Sequence, residues 1–154
     1  MLADEFKKSK GRPIVVDGKT ILLSEELEVP ANGKLIITFN GATSEWRQGI
    51  WIGHISLVET DLELTIAGQT APGMVLWEDT SPQTVEVIFS APQKVINVYN
   101  VWDPGMGHPM SLIMGAGMQC EISDDGKRRV YNCNDGHPET TFSHLKFSLE
   151  IIPE

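Results

Sequence analysis

Apolar residues in this chain recur at every second position. Leu35, Ile37 and Phe39 alternate with Ile36, Thr38 and Asn40, and Leu62, Leu64 and Ile66 with Glu63 and Thr65. Val85, Val87 and Phe89 alternate with Glu86, Ile88 and Ser90; Leu145, Phe147, Leu149 and Ile151 with His144, Lys146, Ser148 and Glu150. Successive side chains of a strand point to opposite faces, so this pattern specifies strands with one dry and one wet face. Between the runs stand Asp17-Gly18, Asn32-Gly33, Asn40-Gly41 and Asp125-Gly126, dipeptides that tolerate the positive φ of tight hairpins. Turn signals at this spacing predict about ten strands in an all-β fold, a single antiparallel β-sandwich of jelly-roll-like form. Only "ADEFKKSK" offers a helical turn or two. Residues 1–12 read as an N-terminal tail and residues 13–154 as the sandwich domain.

A chain of 154 residues suffices for one domain with an ordinary core. Its net charge of −9 repels a phosphate backbone, which argues against nucleic acid and anionic membrane as partners. Lys7, Lys8, Lys10 and Arg12, and Lys127, Arg128 and Arg129, read as solvated charge. "MLADEFKKSK" lacks the apolar centre of a secretory leader, and no apolar run reaches the ~18 residues of a membrane span. The Asp125-Gly126 turn sets Cys120 opposite Tyr131 rather than Cys133, so no disulfide is expected. Two thiols and no leader fit a cytoplasmic protein, although a secreted chain after removal of its leader reads the same way. The edges of a sandwich admit a homo-oligomer without choosing its size.

Strand faces are occupied by packing, so chemistry belongs to the connections. Two of these share a local frame: "NVWDPGMGHPM", Asn100–Met110, and "NCNDGHPETTF", Asn132–Phe142, each holding an aspartate and the tripeptide Gly-His-Pro. They form one site only if their strands end at the same rim. Asp103, His108, Asp135, His137 and Glu139 supply oxygen and imidazole donors suited to zinc, manganese or iron, but no His-x-His or His-x-x-x-His pair is present. Asp103 and Asp135 are the carboxylates expected to hold a divalent cation. The plainer reading makes both segments turns in which histidine caps a backbone group. Met106, Met110, Met114 and Met118 recur every four residues around His108, and thioethers bind Cu(I). The glycines and Pro109 forbid the helix that would align them, which favours core filling.

Trp51 lies in an apolar strand, whereas Trp46, Trp77 and Trp102 stand beside charged residues. Indole faces stack on the C–H faces of sugars while neighbouring carboxylates accept hydroxyl hydrogens. A tryptophan at a strand end is equally a routine edge-of-core residue. Asp135–His137 or Asp103–His108, assisted by His54 or His144, would suit proton transfer near neutrality. The chain has no nucleophile elbow, phosphate loop or dinucleotide fingerprint, which disfavours triad acyl transfer, phosphoryl transfer and hydride transfer.

"VIFSAPQKVINVYNVWDPG" resembles the small bacterial calcium-dependent galactose-binding lectins, through Ala91, Pro92, Tyr99, Asn100 and Asp103; "DLELTIAGQ" is similar to the strand before that turn. The resemblance implies a jelly-roll sandwich with calcium beyond the strand end. Val101-Trp102 is inserted between Asn100 and Asp103, and His108 and Met110 stand where the family has paired asparagines. Together these features predict a loop pocket for a small hydroxylated ligand, a carbohydrate or similar, with or without a divalent cation. Trp77 and Trp102 would stack on it; Asp103, Asn134, Asp135 and Glu139 would accept its hydrogens; His108 and His137 would orient it. The alternative is a small lyase, hydratase or isomerase with His108 or His137 as general acid or base. A partner-binding sandwich with an exposed edge strand and a dry patch is the third possibility.

Overall fold

The alternating segments pair into two antiparallel sheets in the computed structural model, which describes residues 2–55, 60–113 and 115–154. Helix α1 (Leu2–Ser9) is followed by β1 (Ile14–Val16), β2 (Lys19–Leu22), β3 (Glu25–Glu28), β4 (Asn32–Ala42) and β5 (Arg47–Gly53). Next come β6 (Glu63–Ile66), β7 (Gln69–Ala71), β8 (Met74–Trp77), β9 (Thr84–Ser90) and β10 (Val95–Asp103). The chain ends with β11 (Met110–Ser111), β12 (Gly117–Ile122), β13 (Arg128–Asn134) and β14 (Leu145–Pro153). One sheet has the order β1-β2-β12-β13-β14-β4-β9-β6-β7; the other runs β11-β10-β5-β8, with β3 also paired to β10. The architecture is a two-sheet, sandwich-like all-β fold. Its fourteen strands among the described residues exceed the expected ten or so. The surplus consists of pieces such as β1, β7 and β11, of two or three residues, too short to display a period.

The alternation sorts residues as expected. Leu35, Ile37, Val85, Val87, Phe147 and Leu149 all belong to the buried cluster between the sheets. The turn signals divide. Asp17-Gly18, with φ of 51° and 76°, joins β1 to β2 as a two-residue hairpin, Val16 facing Lys19. The Asp125-Gly126 bend gives the expected register, Cys120 opposite Tyr131, and both cysteines are free.

Asn32-Gly33 and Asn40-Gly41 are not turns, because both lie inside β4. A Cβ on Gly33 would come 2.5 Å from the Ile152 carbonyl and 2.9 Å from the Phe89 ring, so that glycine serves close packing. At the other, Phe147 pairs with Phe39 and Lys146 with Gly41; Asn40 is the extra residue of a bulge and Gly41 takes φ 133°. A hairpin without the expected dipeptide, Ala67-Gly68, joins β6 to β7.

Helix α1 buries Leu2 and Phe6 against Ile21. Asp4 and Glu5 lie in its first turn and Lys7 and Lys8 in its last, in the sense its dipole favours. Lys10, at φ 57°, closes it while the Gly11 amide bonds back to the Phe6 carbonyl at 2.9 Å. Among the described residues, no helix is long and apolar enough to cross a membrane.

The register also decides which connections meet. Asp103 ends β10 opposite Arg47, the first residue of β5. Residues 43–46 link that strand to Ala42, which faces Leu145 at the start of β14. Residues 135–144 link Leu145 back to Asn134 at the end of β13. Both Gly-His-Pro loops therefore leave their strands at one rim, where the Asn100 side-chain amide donates to the Asn134 carbonyl at 3.0 Å across the two sheets.

Candidate functional site

Asp135 organises the second loop. Its carboxylate is fully buried. Oδ2 accepts the Ser44 hydroxyl at 2.7 Å and the Gln48 side-chain amide at 2.8 Å, and Oδ1 accepts the His137 backbone amide at 2.8 Å. A buried carboxyl needs hydrogen bonds in place of its lost hydration, and this one has three. Asn134, also fully buried, donates to the carbonyls of Gly115 and Asp135 and accepts the amides of Thr141 and Phe142. Gly115 packs closely here, since a Cβ would stand 3.0 Å from the His137 carbonyl and the loop would have to give way. The Thr43 hydroxyl donates to the Ser143 carbonyl at 2.6 Å and closes the junction between the loops.

His144 sits beneath. Its Nδ1 lies 3.0 Å from the Asp135 backbone N–H and 3.2 Å from Asp135 Oδ1. One nitrogen cannot accept from the amide and donate to the carboxylate at once. The amide contact is the shorter, and it selects the tautomer with the proton on Nε2, facing the Thr141 hydroxyl at 3.4 Å. In an acyl-transfer triad the imidazole stands between hydroxyl and carboxylate. Here the Ser44 hydroxyl donates directly to the carboxylate, and although the His144 imidazole lies between the Thr141 hydroxyl and Asp135, its Nδ1 accepts the Asp135 amide rather than donating to the carboxylate, an arrangement that supports a loop rather than a nucleophile.

Above this buried layer is an open shelf. The Trp46 indole and the His137 imidazole meet at 5.4 Å between centroids, tilted by 56°, and His137 lies 5.9 Å from His144. His137 Nε2 is 3.5 Å from a Glu45 carboxylate oxygen. The side chains of His137 and Glu45 are 33% and 72% exposed, so both can reach solute. The Ser44 hydroxyl accepts the Trp46 amide at 3.1 Å, fixing the turn that presents the indole.

The first loop is built separately. Asp103 accepts the amides of Gly105, Met106 and Gly107 at 2.8, 2.7 and 3.1 Å. Those amides, Gly105 foremost, hold its carboxyl below the usual range, with nearby His108 adding to the effect. Asp103 thus folds its own loop as a cap, and His108 is exposed beside it. Among the described residues no hydrogen bond, ion pair or ring contact joins His108 to His137.

Three tryptophans are otherwise engaged. Trp102 is fully buried, which corrects its assignment as a stacking face. Trp77 lies under the Arg47 guanidinium, 4.4 Å from its ring, while Arg47 reaches both oxygens of Asp79 at 2.9 Å. Trp51 stacks on Tyr99. Glu139 is exposed, its amide directed at His137 Nδ1 at 3.5 Å. Of the methionines, Met118 is fully buried and Met106 is 61% exposed, so no common face unites them; Met114 lies outside the described residues. Among the described residues no three His, Cys, Asp or Glu side chains gather as a metal cluster.

Sequence reasoning placed His137 in the pocket, noted Trp46 beside charged residues but chose Trp77 and Trp102 for stacking instead, and missed Glu45, Ser44 and Gln48. "TSEWRQG" carries no periodic or motif signal, and only the pairing of β4, β5 and β14 brings it to the second loop. In comparisons with known proteins, the chain matches no protein-family model and no curated protein.

Proposed function

We propose that this shelf binds a small hydroxylated ligand, a carbohydrate or related polyol, with Trp46 as its stacking face. The observation that carries the reading is the partly exposed Trp46 indole held beside His137, which in turn faces Glu45. An apolar ring face flanked by an imidazole and a carboxylate suits the C–H and O–H faces of a pyranose. The shelf is open rather than enclosed, so affinities in the range of about 1 mM are expected. Asp135 and Asn134 act by positioning the loop instead of touching the ligand.

Titration with a panel of monosaccharides, galactose included, followed by tryptophan fluorescence and calorimetry, tests the proposal. At least one sugar should bind saturably, and Trp46→Ala should weaken it by about tenfold or more while leaving the near-ultraviolet circular dichroism of the buried aromatics in place. Binding that is indifferent to Trp46→Ala would remove the proposal. Repeating the titration with a chelator separates a cation-assisted site from a cation-free one.

The His137–Glu45 approach also supports a second reading, acid–base catalysis in a small lyase, hydratase or isomerase. Turnover of a bound sugar, lost in His137→Gln with binding retained, would favour it.

A further inference from the structure

We propose a second ligand site at the opposite end of β10, a cleft for a small organic ammonium ion that also carries a hydroxyl or carbonyl oxygen. The cleft has a volume of about 540 Å³, within the range of small-molecule sites. Asn97, Glu26 and Asp61 supply polar groups, and Leu62, Pro92 and Val95 supply apolar wall. Asn97 lies six residues along β10 from Asp103, roughly 20 Å away at strand rise, so this site is separate from the Trp46 shelf.

The chemistry follows from one orphaned donor and two acceptors. Asn97 is 3% exposed; its Oδ1 accepts the Ile55 amide at 3.2 Å, and its Nδ2 is buried with no hydrogen-bond partner among the described residues. Buried donors are nearly always paired, and one left open at a cleft wall is satisfied by whatever enters. A ligand oxygen that reaches this position would satisfy the Asn97 donor. Glu26 faces Asn97 directly across the β3–β10 pair, and both Glu26 and Asp61 are exposed to the cleft. Among the described residues no lysine or arginine lines it, and His54 is its one imidazole. Two carboxylates in a cleft without lysine or arginine among the described residues attract an ammonium group, as does the net charge of −9. The apolar wall accommodates a short carbon chain between the two ends. An aminoalcohol has this pattern of groups.

Nitrogen-15 NMR of the full chain with ethanolamine as the probe tests the assignment. The Asn97 side-chain NH₂ signal should shift saturably, with half-saturation near ~1 mM. The double variant Glu26→Gln/Asp61→Asn, both changes at exposed positions, should raise that midpoint about tenfold without altering the rest of the spectrum. Ethylene glycol, which lacks the charge, should shift the signal at least tenfold less effectively. Trp46→Ala should leave the titration unchanged, which separates this site from the sugar shelf. No saturable shift, a shift reproduced by sodium chloride at equal ionic strength, or one unaffected by the double variant would each overturn the proposal, the first meaning that water alone occupies the cleft.

Discussion

Glu25 and Arg129 meet between the layers, one on β3 and the other on β13, as a hydrogen-bonded ion pair with side chains only 8% and 12% exposed. The Cys120 thiol adds a long contact to the same carboxylate at 3.8 Å. Burial raises the Glu25 pKa, desolvation outweighing the attraction of Arg129. A carboxyl with a raised folded-state pKa contributes stability that is fully present below its unfolded value and is lost as pH rises through the folded value. Glu25→Gln removes that dependence. The melting temperature of the variant relative to the parent should therefore become more favourable as pH climbs from 4 towards 7, and a flat or opposite trend in calorimetry would contradict this account. Arg129→Met, which strands the buried carboxylate, should cost about 3 kcal/mol or more, whereas replacing both partners with apolar residues should cost much less. Burial also pushes the Cys120 thiol up to about 12 and the Cys133 thiol well above its ordinary value. Neither should react with Ellman's reagent at pH 8 until the protein unfolds, since the thiolate is the reactive form.

At the level of the elements, legibility follows length. Strands β4, β9 and β14 each run seven residues or more with one dry face, and their alternation is plain in the sequence. Strands β1, β7 and β11 exist because neighbours supply pairing partners, a cause invisible to a local window. The Asn-Gly dipeptides failed as turn signals for a related reason. Glycine at Gly33 answers to Ile152 and Phe89, residues far away in the chain, rather than to its own φ. Helix α1 shows the same dependence on distant sequence. Gly117 underlies it, and a Cβ there would stand 3.0 Å from Ile21, 3.3 Å from Leu2 and 3.4 Å from Phe6. Eight residues make an isolated helix unstable, so the burial of Leu2 and Phe6 must hold it. Phe6→Ala should cost about 3 kcal/mol and release the helix, read as lost amide protection over residues 6–9 alongside a lower urea midpoint. Retained protection would mean that the helix forms on its own propensity.

Across the whole molecule, the outline of the site was legible and its wiring was not. Two loops with the same tripeptide do leave their strands at one rim, but the sequence assigned them equal parts and they have unequal ones. Asp103 spends its carboxylate on three amides of its own loop. Asp135 instead takes donors from 44, 48 and 137, and so ties two connections from opposite ends of the chain. Long-range ties of this kind leave no spacing rule, because each partner is set by sheet register. The consequence is testable. Asp135→Asn keeps the shape but turns one acceptor oxygen into a donor, facing either Ser44 and Gln48 or the His137 amide. One buried donor pair is then opposed, for about 1–3 kcal/mol of stability. The damage should stay local to the tied loops: amide exchange at 137, 141 and 144 should accelerate while the β4 and β14 amides keep their protection. If Asp135 is only a core polar group, exchange should instead rise uniformly with the fall in global stability. If it holds the Trp46 shelf in place, sugar affinity should fall with the loop even though no atom of Asp135 reaches the ligand.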